Sequence, residues 1–255
     1  MTAGRVVTGP IRFAGGSIGE LAVYGTANRL AVLGARAESV AVTFLLEEGL
    51  AADVLDTEVR AMGRAAYTAG IAITGSETKV VASGKVDAMC IVTSGIGRAI
   101  PEVQCSGSAV KAGDQILVSG PVGHHGTAIL MARSELSSQF GLRSDMRPVI
   151  RMVELLAETV SPGLRWMADL AGGGLRMALN DLGKDSGLGV YVFRDRIPVR
   201  EVVRRACERL QVDPFTMASE GQFLAVVAPE YAELALAAIQ GAPGGEEARV
   251  IGELR

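Results

Sequence analysis

The sequence predicts a mixed α/β chain, α/β or α+β in class, built as two units that each pack helices on a sheet. Three observations carry that expectation. Helical and strand periodicities alternate along the whole length, the pattern of layered α/β domains. Hydrophobic residues make up 49% and charged residues 21% of 255 residues, which supplies a buried interior and argues against disorder. Finally, residues 100–113 lose periodicity and gather Pro, Ser and Gly, which divides the chain into units 1–105 and 106–255.

Residues 6–11 and 39–46 are rich in β-branched and aliphatic side chains and read as strands. Between them, Ile18, Leu21, Ala22, Leu30 and Leu33 recur at helical spacing over 18–33, behind the turn Gly15-Gly16-Ser17. A second amphipathic helix is expected over 51–69, with Val54, Leu55, Val59, Met62 and Ala66 on one face. Short strands follow at 71–74, 78–81 and 87–93, with Gly84-Lys85 turning a hairpin between the last two. Beyond the boundary the pattern predicts strands at 115–120, 189–192, 222–227 and near Arg249–Leu254. The helices of this half fall at 126–134, 148–160, 174–182, 199–210 and 230–240. Aromatics are only 4%, so the core is aliphatic, with Met146, Met152, Met167 and Met177 as filler and Trp166 beside the Asp169 turn.

Composition excludes several classes. The net charge is −3 and no basic block stands out, so no nucleic-acid partner is expected. The longest uncharged stretch, 115–132, is interrupted by Ser119, Gly120, Pro121, Gly123, His124, His125 and Gly126, so no membrane span or membrane partner is expected. Residues 1–20 carry Arg5 and Arg12 and no unbroken apolar core, which gives no secretory signal. Cys90, Cys105 and Cys207 form neither a CxxC pair nor a zinc spacing; they read as buried or half-buried thiols of a cytoplasmic protein, with no metal site.

Four glycine turns draw attention: Gly15-Gly16-Ser17, Gly75-Ser76-Glu77-Thr78-Lys79, Gly123-His124-His125-Gly126 and Gly172-Gly173-Gly174. Bare backbone N–H groups at such turns can hold phosphate oxygens, although none matches GxGxxG or GxxxxGK[ST], and each alone reads as an ordinary turn. In order they carry more. Gly15 to Gly19 followed by Leu21 to Ala35, then Leu45 to Gly49, Thr78 to Val81, Gly123, His125-Gly126, Ile197 to Arg200, Glu220-Gly221 and Val250 to Glu253 run collinearly over nearly the whole chain. This series resembles the HypE family, the hydrogenase-maturation carbamoyl dehydratases of the PurM-like, AIR synthase-related superfamily.

The resemblance implies a PurM-like fold, with an N-terminal β-sheet dimerisation domain, a C-terminal α/β domain and ATP between them. It also implies that a carbamoyl group on a C-terminal cysteine is phosphorylated by ATP and dehydrated to a thiocyanate. Carried over by position, Gly15, Gly16, Asn28, Glu77, Asp169, Gly173 and Gly174 would line the nucleotide cleft, and Lys79 and Glu220 would handle the carbamoyl group as cation and carboxylate. The plainer reading of that pair, a surface lysine and a strand-capping glutamate, stands beside it.

Several positions depart from the family pattern. Ser17 and Arg29 stand for aspartates, Glu77 matches an aspartate only through a turn one residue longer, the arginine of the Asp169 motif is missing, and His124 stands for another aspartate. Mg²⁺ wants oxygen ligands in near-octahedral order, and an arginine cannot supply one, so ATP and Mg are expected to bind weakly or not at all. His124 and His125, being adjacent, point apart; a turn or helix-start role is expected rather than a metal pair. The sequence begins near the family's first shared strand and ends at Arg255, with Cys207 its last cysteine, so no tail thiol is expected.

Three readings follow: a catalytically reduced HypE-like subunit that binds partners, an active superfamily enzyme with a rearranged site for another carbamoyl, amide or acid substrate, and one half of a heterodimer with a full-length HypE-type subunit. A homodimer or such a heterodimer is expected to form through the N-terminal sheet, the strands at 39–46 and 87–93 being too apolar to leave an edge open. Other metal-centre maturation proteins are the further expected partners.

Overall fold

Strand β4 (Ala35–Glu47) sets the N-terminal layer. Ala35, Ala37, Val40, Val42, Phe44 and Leu46 point inward and are buried while their neighbours stay more open, the period-two pattern of a half-covered sheet. The order in this four-stranded sheet is β1-β6-β4-β5, with β1 at Thr2–Val7, β5 at Ala72–Val81 and β6 at Met89–Ala99. The computed structural model describes residues 2–7, 9–101, 103, 105–134 and 141–255, with the backbone alone at 2, 3 and 5–7. A two-strand ribbon, β2 (Arg12–Phe13) with β3 (Gly16–Ser17), leads into helix α1 (Ile18–Val32).

Helix α1 is buried on nearly every side, because it lies between the two units: it packs on β4, β6 and helix α2 (Ala52–Ala69), and also on the C-terminal sheet. Gly19 lets α2 come close, since a Cβ there would meet the carbonyl oxygen of Glu58, whose carboxylate accepts from Gly19 N–H at 2.9 Å.

The C-terminal sheet has five strands in the order β8-β10-β7-β11-β9, every neighbouring pair antiparallel. The strands are β7 (Gln115–Val118), β8 (Leu164–Leu170), β9 (Val190–Val192), β10 (Ser219–Val227) and β11 (Arg249–Leu254). β10 is buried throughout because each of its faces meets a separate core. Phe223, Ala225 and Val227 join helices α4 (Ile150–Val160) and α7 (Ala232–Gln240); Leu224 and Val226 join helix α5 (Gly174–Ser186). Helix α3 (His124–Arg133) and helix α6 (Glu201–Leu210) close a smaller cluster around Met131, Val203 and Ala206.

Several expectations change. Residues 71–74 and 78–81 are one strand, β5, which runs parallel to β4 after the α2 crossover. β5 and β6 form no hairpin, since β4 lies between them, and residues 82–88 arch over its end. Glu47 holds that arch by accepting from Gly84 N–H at 2.5 Å and Ala88 N–H at 3.1 Å, and these bonds lower its carboxyl pKa. The strands expected to present an open edge, β4 and β6, are therefore internal; the outer strands are β1 and β5. Leu33, Val59 and Met177 are exposed rather than core, whereas Met152 and Met167 are buried. Among the described residues no helix is long and apolar enough to cross a membrane.

Candidate functional site

A cleft of about 840 Å³ opens between the two units, with Arg29, Thr93 and Ser94 on one wall and Trp166, Asp169 and Gly172 on the other. Arg29 sits in the last turn of α1, where a cation suits the helix dipole, and its side chain is exposed, with Nη1 donating to the Gly4 carbonyl at 3.4 Å. Asp169 is near the end of β8 and accepts from Ala171 N–H at 3.3 Å, which starts the turn into α5. Gly173 and Gly174 have φ of 71° and 65°, a left-handed backbone that favours glycine. A Cβ on Gly174 would also lie 2.5 Å from the Met217 carbonyl oxygen, so packing as well as conformation requires glycine there.

Asn28, next to Arg29, turns the other way and is buried. Its Nδ2 donates to the carbonyls of Arg147 (2.8 Å) and Glu220 (2.9 Å), and its Oδ1 accepts from Val149 N–H at 2.8 Å. With three bonds to backbone, Asn28 ties α1 to the C-terminal unit and does not line the cleft. Glu220 is buried at the same junction, and its N–H donates to Asp145 Oδ1 at 3.1 Å. Gly15 and Gly16 seat residues 144–146: a Cβ on Gly15 would lie 2.7 Å from Ser144 N, and one on Gly16 would meet Met146 Cε. Glu77 and Lys79 lie two apart on β5, opposite Thr43 and Leu45 of β4, and both are exposed. Neither lines the cleft, so within one chain the cleft gathers Asp169 alone of the nine residues named for the nucleotide and carbamoyl roles.

Sequence pattern did not single out Asp145 or Arg147. They stand in Ser144-Asp145-Met146-Arg147-Pro148, a stretch without periodicity, and become neighbours of Glu220 only through the folding of the chain. Burial pushes Asp145 up to about 6, against the opposing pull of the Glu220 amide and Arg147.

The cleft's donor set suits a phosphate group, through the Arg29 fork, better than a metal clamp. Asp181 pairs with Lys184 at 3.8 Å, Asp185 accepts from Trp166 Nε1 at 3.3 Å, and Asp169 caps its own turn. Among the described residues no group of three or more His, Cys, Asp or Glu is placed to hold a metal ion.

Two mixed units, a helix shared between them and a cleft at their junction define the PurM-like class of two-domain proteins. Residues 1–99 match the N-terminal domain of AIR synthase related proteins and residues 111–255 match the C-terminal domain. The carbamoyl dehydratase HypE of Azotobacter vinelandii is 41% identical over 246 residues, covering 96% of this chain and 72% of the relative. A solved HypE–HypF complex superposes with a TM-score of 0.96 at 36% identity, covering 100% of this chain and 83% of that one. A HypE structure in complex with ATP gives 0.95 at 39% identity, covering 99% and 76%. The chain belongs to the HypE family of AIR synthase related proteins.

Proposed function

We propose that the chain serves hydrogenase maturation as a HypE-type protein that has given up ATP-dependent carbamoyl dehydration and acts as a binding subunit, in a homodimer or paired with another HypE-type chain. The observation that carries this reading is Arg29 in the interdomain cleft, facing a wall on which Asp169, Asp181 and Asp185 each have one protein partner, in Ala171, Lys184 and Trp166. A cation there attracts phosphate oxygens but takes the place of a metal ligand. The exposed outer strand β5, which carries Ile73 and Val80 as well as Glu77 and Lys79, is the edge through which a second chain would pair. A HypF-type protein is the favoured further partner, because a 36%-identical relative is solved in a HypE–HypF complex.

Calorimetry with ATP, with and without Mg²⁺, tests the reading, and weak or absent binding in both is the expected result. Micromolar affinity that depends on Mg²⁺ would overturn it in favour of the second reading, an active enzyme on another carbamoyl, amide or acid substrate. What favours that second reading is a cleft large enough for a nucleotide that still carries Asp169, in a sequence that also retains Lys79 and Glu220 away from it.

A further inference from the structure

Apart from the interdomain cleft, a cavity of about 400 Å³ lies within the C-terminal unit, at the small end of the range for ligand pockets. Its polar lining is His124, Ser144, Asp145 and Gln222 with Arg143, Arg147, Arg200, Glu246 and Glu247. His124, the first residue of α3, is only 7% exposed, yet neither ring nitrogen has a hydrogen-bond partner. Asp145 Oδ2 is buried and also lacks one, its other oxygen being taken by the Glu220 amide. Buried polar atoms are seldom left so, and two residues that carry them in the wall of one cavity point to something that fills it.

The charges narrow the choice. Arg147 donates from Nε to the Gly221 carbonyl (3.2 Å) and from Nη2 to the Gly244 carbonyl (2.5 Å), while Arg200 uses Nε and Nη2 on Glu247 (3.1 and 2.5 Å). The Nη1 group of each remains for a ligand. Burial, reinforced by Arg200 and Arg147, lowers His124 to about 4, so at neutral pH the ring is uncharged and offers one donor and one acceptor. A simple anion would meet the carboxylates of Asp145, Glu246 and Glu247, and a simple cation would meet the guanidinium groups of Arg143, Arg147 and Arg200. A molecule carrying both charges a short distance apart can meet the Asp145 carboxylate, the His124 ring N–H and the guanidinium groups together.

We infer that this cavity binds a free α-amino acid, its ammonium on Asp145 Oδ2 and its carboxylate between the His124 ring N–H and the Nη1 groups of Arg147 and Arg200. Leu142 and Val202 in the wall favour a small apolar side chain. The site is independent of the nucleotide reading of the cleft.

The chain has two histidines, so ring proton resonances report on His124 with little overlap. Titrating the full chain with L-alanine and L-valine is expected to shift the His124 signals saturably. Propionate and ethylamine, each carrying one half of the charge pair, are expected to bind about tenfold or more weakly. Asp145→Asn should weaken L-alanine by about tenfold or more, and if that variant does not fold, the half-ligand comparison on the native chain decides. No saturable shift at tens of millimolar amino acid, propionate binding as tightly as L-alanine, or an Asp145→Asn variant that binds unchanged would each overturn the assignment.

Discussion

Asn28 and Arg29 are adjacent on α1, and the two sides of the junction they face hold charge and polarity in opposite ways. Arg29 leans into an open cleft, where solvent screens it and its hydrogen bond to the Gly4 carbonyl is long, at 3.4 Å. Asn28 reaches into the C-terminal unit, where every bond is short and shielded from water, and next to it Asp145 and His124 keep polar atoms buried without partners. A cleft of the first kind tolerates a change of charge at little cost to the fold. A region of the second kind is where polar substitutions are felt.

The sharpest way to break that contrast is Asn28→Ala. It removes the hydrogen bonds to the carbonyls of Arg147 and Glu220 and from the amide of Val149, and should cost about 3–5 kcal/mol in urea unfolding. A loss no larger than that of an ordinary surface change would mean that water replaces the asparagine at the junction.

The next largest effect is a pair of opposed pH profiles. Asp145, raised from 3.8 to about 6, holds a proton in the folded state where the unfolded chain has released it, so its contribution falls as pH rises across that window. His124, lowered from 6.5 to about 4 by burial, Arg200 and Arg147 against Glu247, does the reverse, and its contribution grows from pH 4 to 6.5. Each amounts to about 3 kcal/mol, and in the native chain they largely offset. Asp145→Asn should therefore unmask stability that rises with pH, and His124→Gln stability that falls with it, measured as urea midpoints between pH 4 and 6.5. Flat profiles in both variants would remove the cavity from the comparison.

On the cleft side, Arg29→Asp should change stability by no more than about 0.5 kcal/mol and, on its own, should not restore Mg²⁺-dependent turnover with ATP. The smallest effect is local. Glu47→Gln should speed hydrogen exchange at the Gly84 and Ala88 amides and leave the sheet elsewhere unchanged. In the native chain the same loosening should appear as pH drops below the ordinary glutamate value of 4.5 toward the lowered one, where the carboxylate that holds the arch takes up its proton.

Periodicity was enough to locate α1, α2, β4 and β11 because each carries a long or regular apolar repeat, and the collinear glycine turns led to the PurM-like class. It missed β8 because Leu164-Arg165-Trp166-Met167-Ala168-Asp169-Leu170 buries residues irregularly, with half-buried Ala168 and Asp169 turned to the cleft. The false hairpin at 82–88 came from closeness in sequence, which says nothing about a third strand entering between two neighbours. At the junction, Asn28 was visible as a motif residue but its task was not, because that task is set by carbonyls far along the chain. Asp145 and Arg147 gave no signal at all: single charged residues in an irregular segment gain meaning only from what folds over them.

The bonds of Asn28 also order events in time. Its partners at Arg147 and Glu220 lie 119 and 192 residues further along the chain. At about 5–20 residues per second of synthesis, helix α1 would wait on the order of ten seconds or more before the last of them leaves the ribosome. Through that interval a helix apolar on nearly all sides has only half of its covering in place. The element that later joins the two units is thus the stretch of nascent chain with the strongest call on a chaperone, and the first half cannot finish folding until the chain has been made past Glu220.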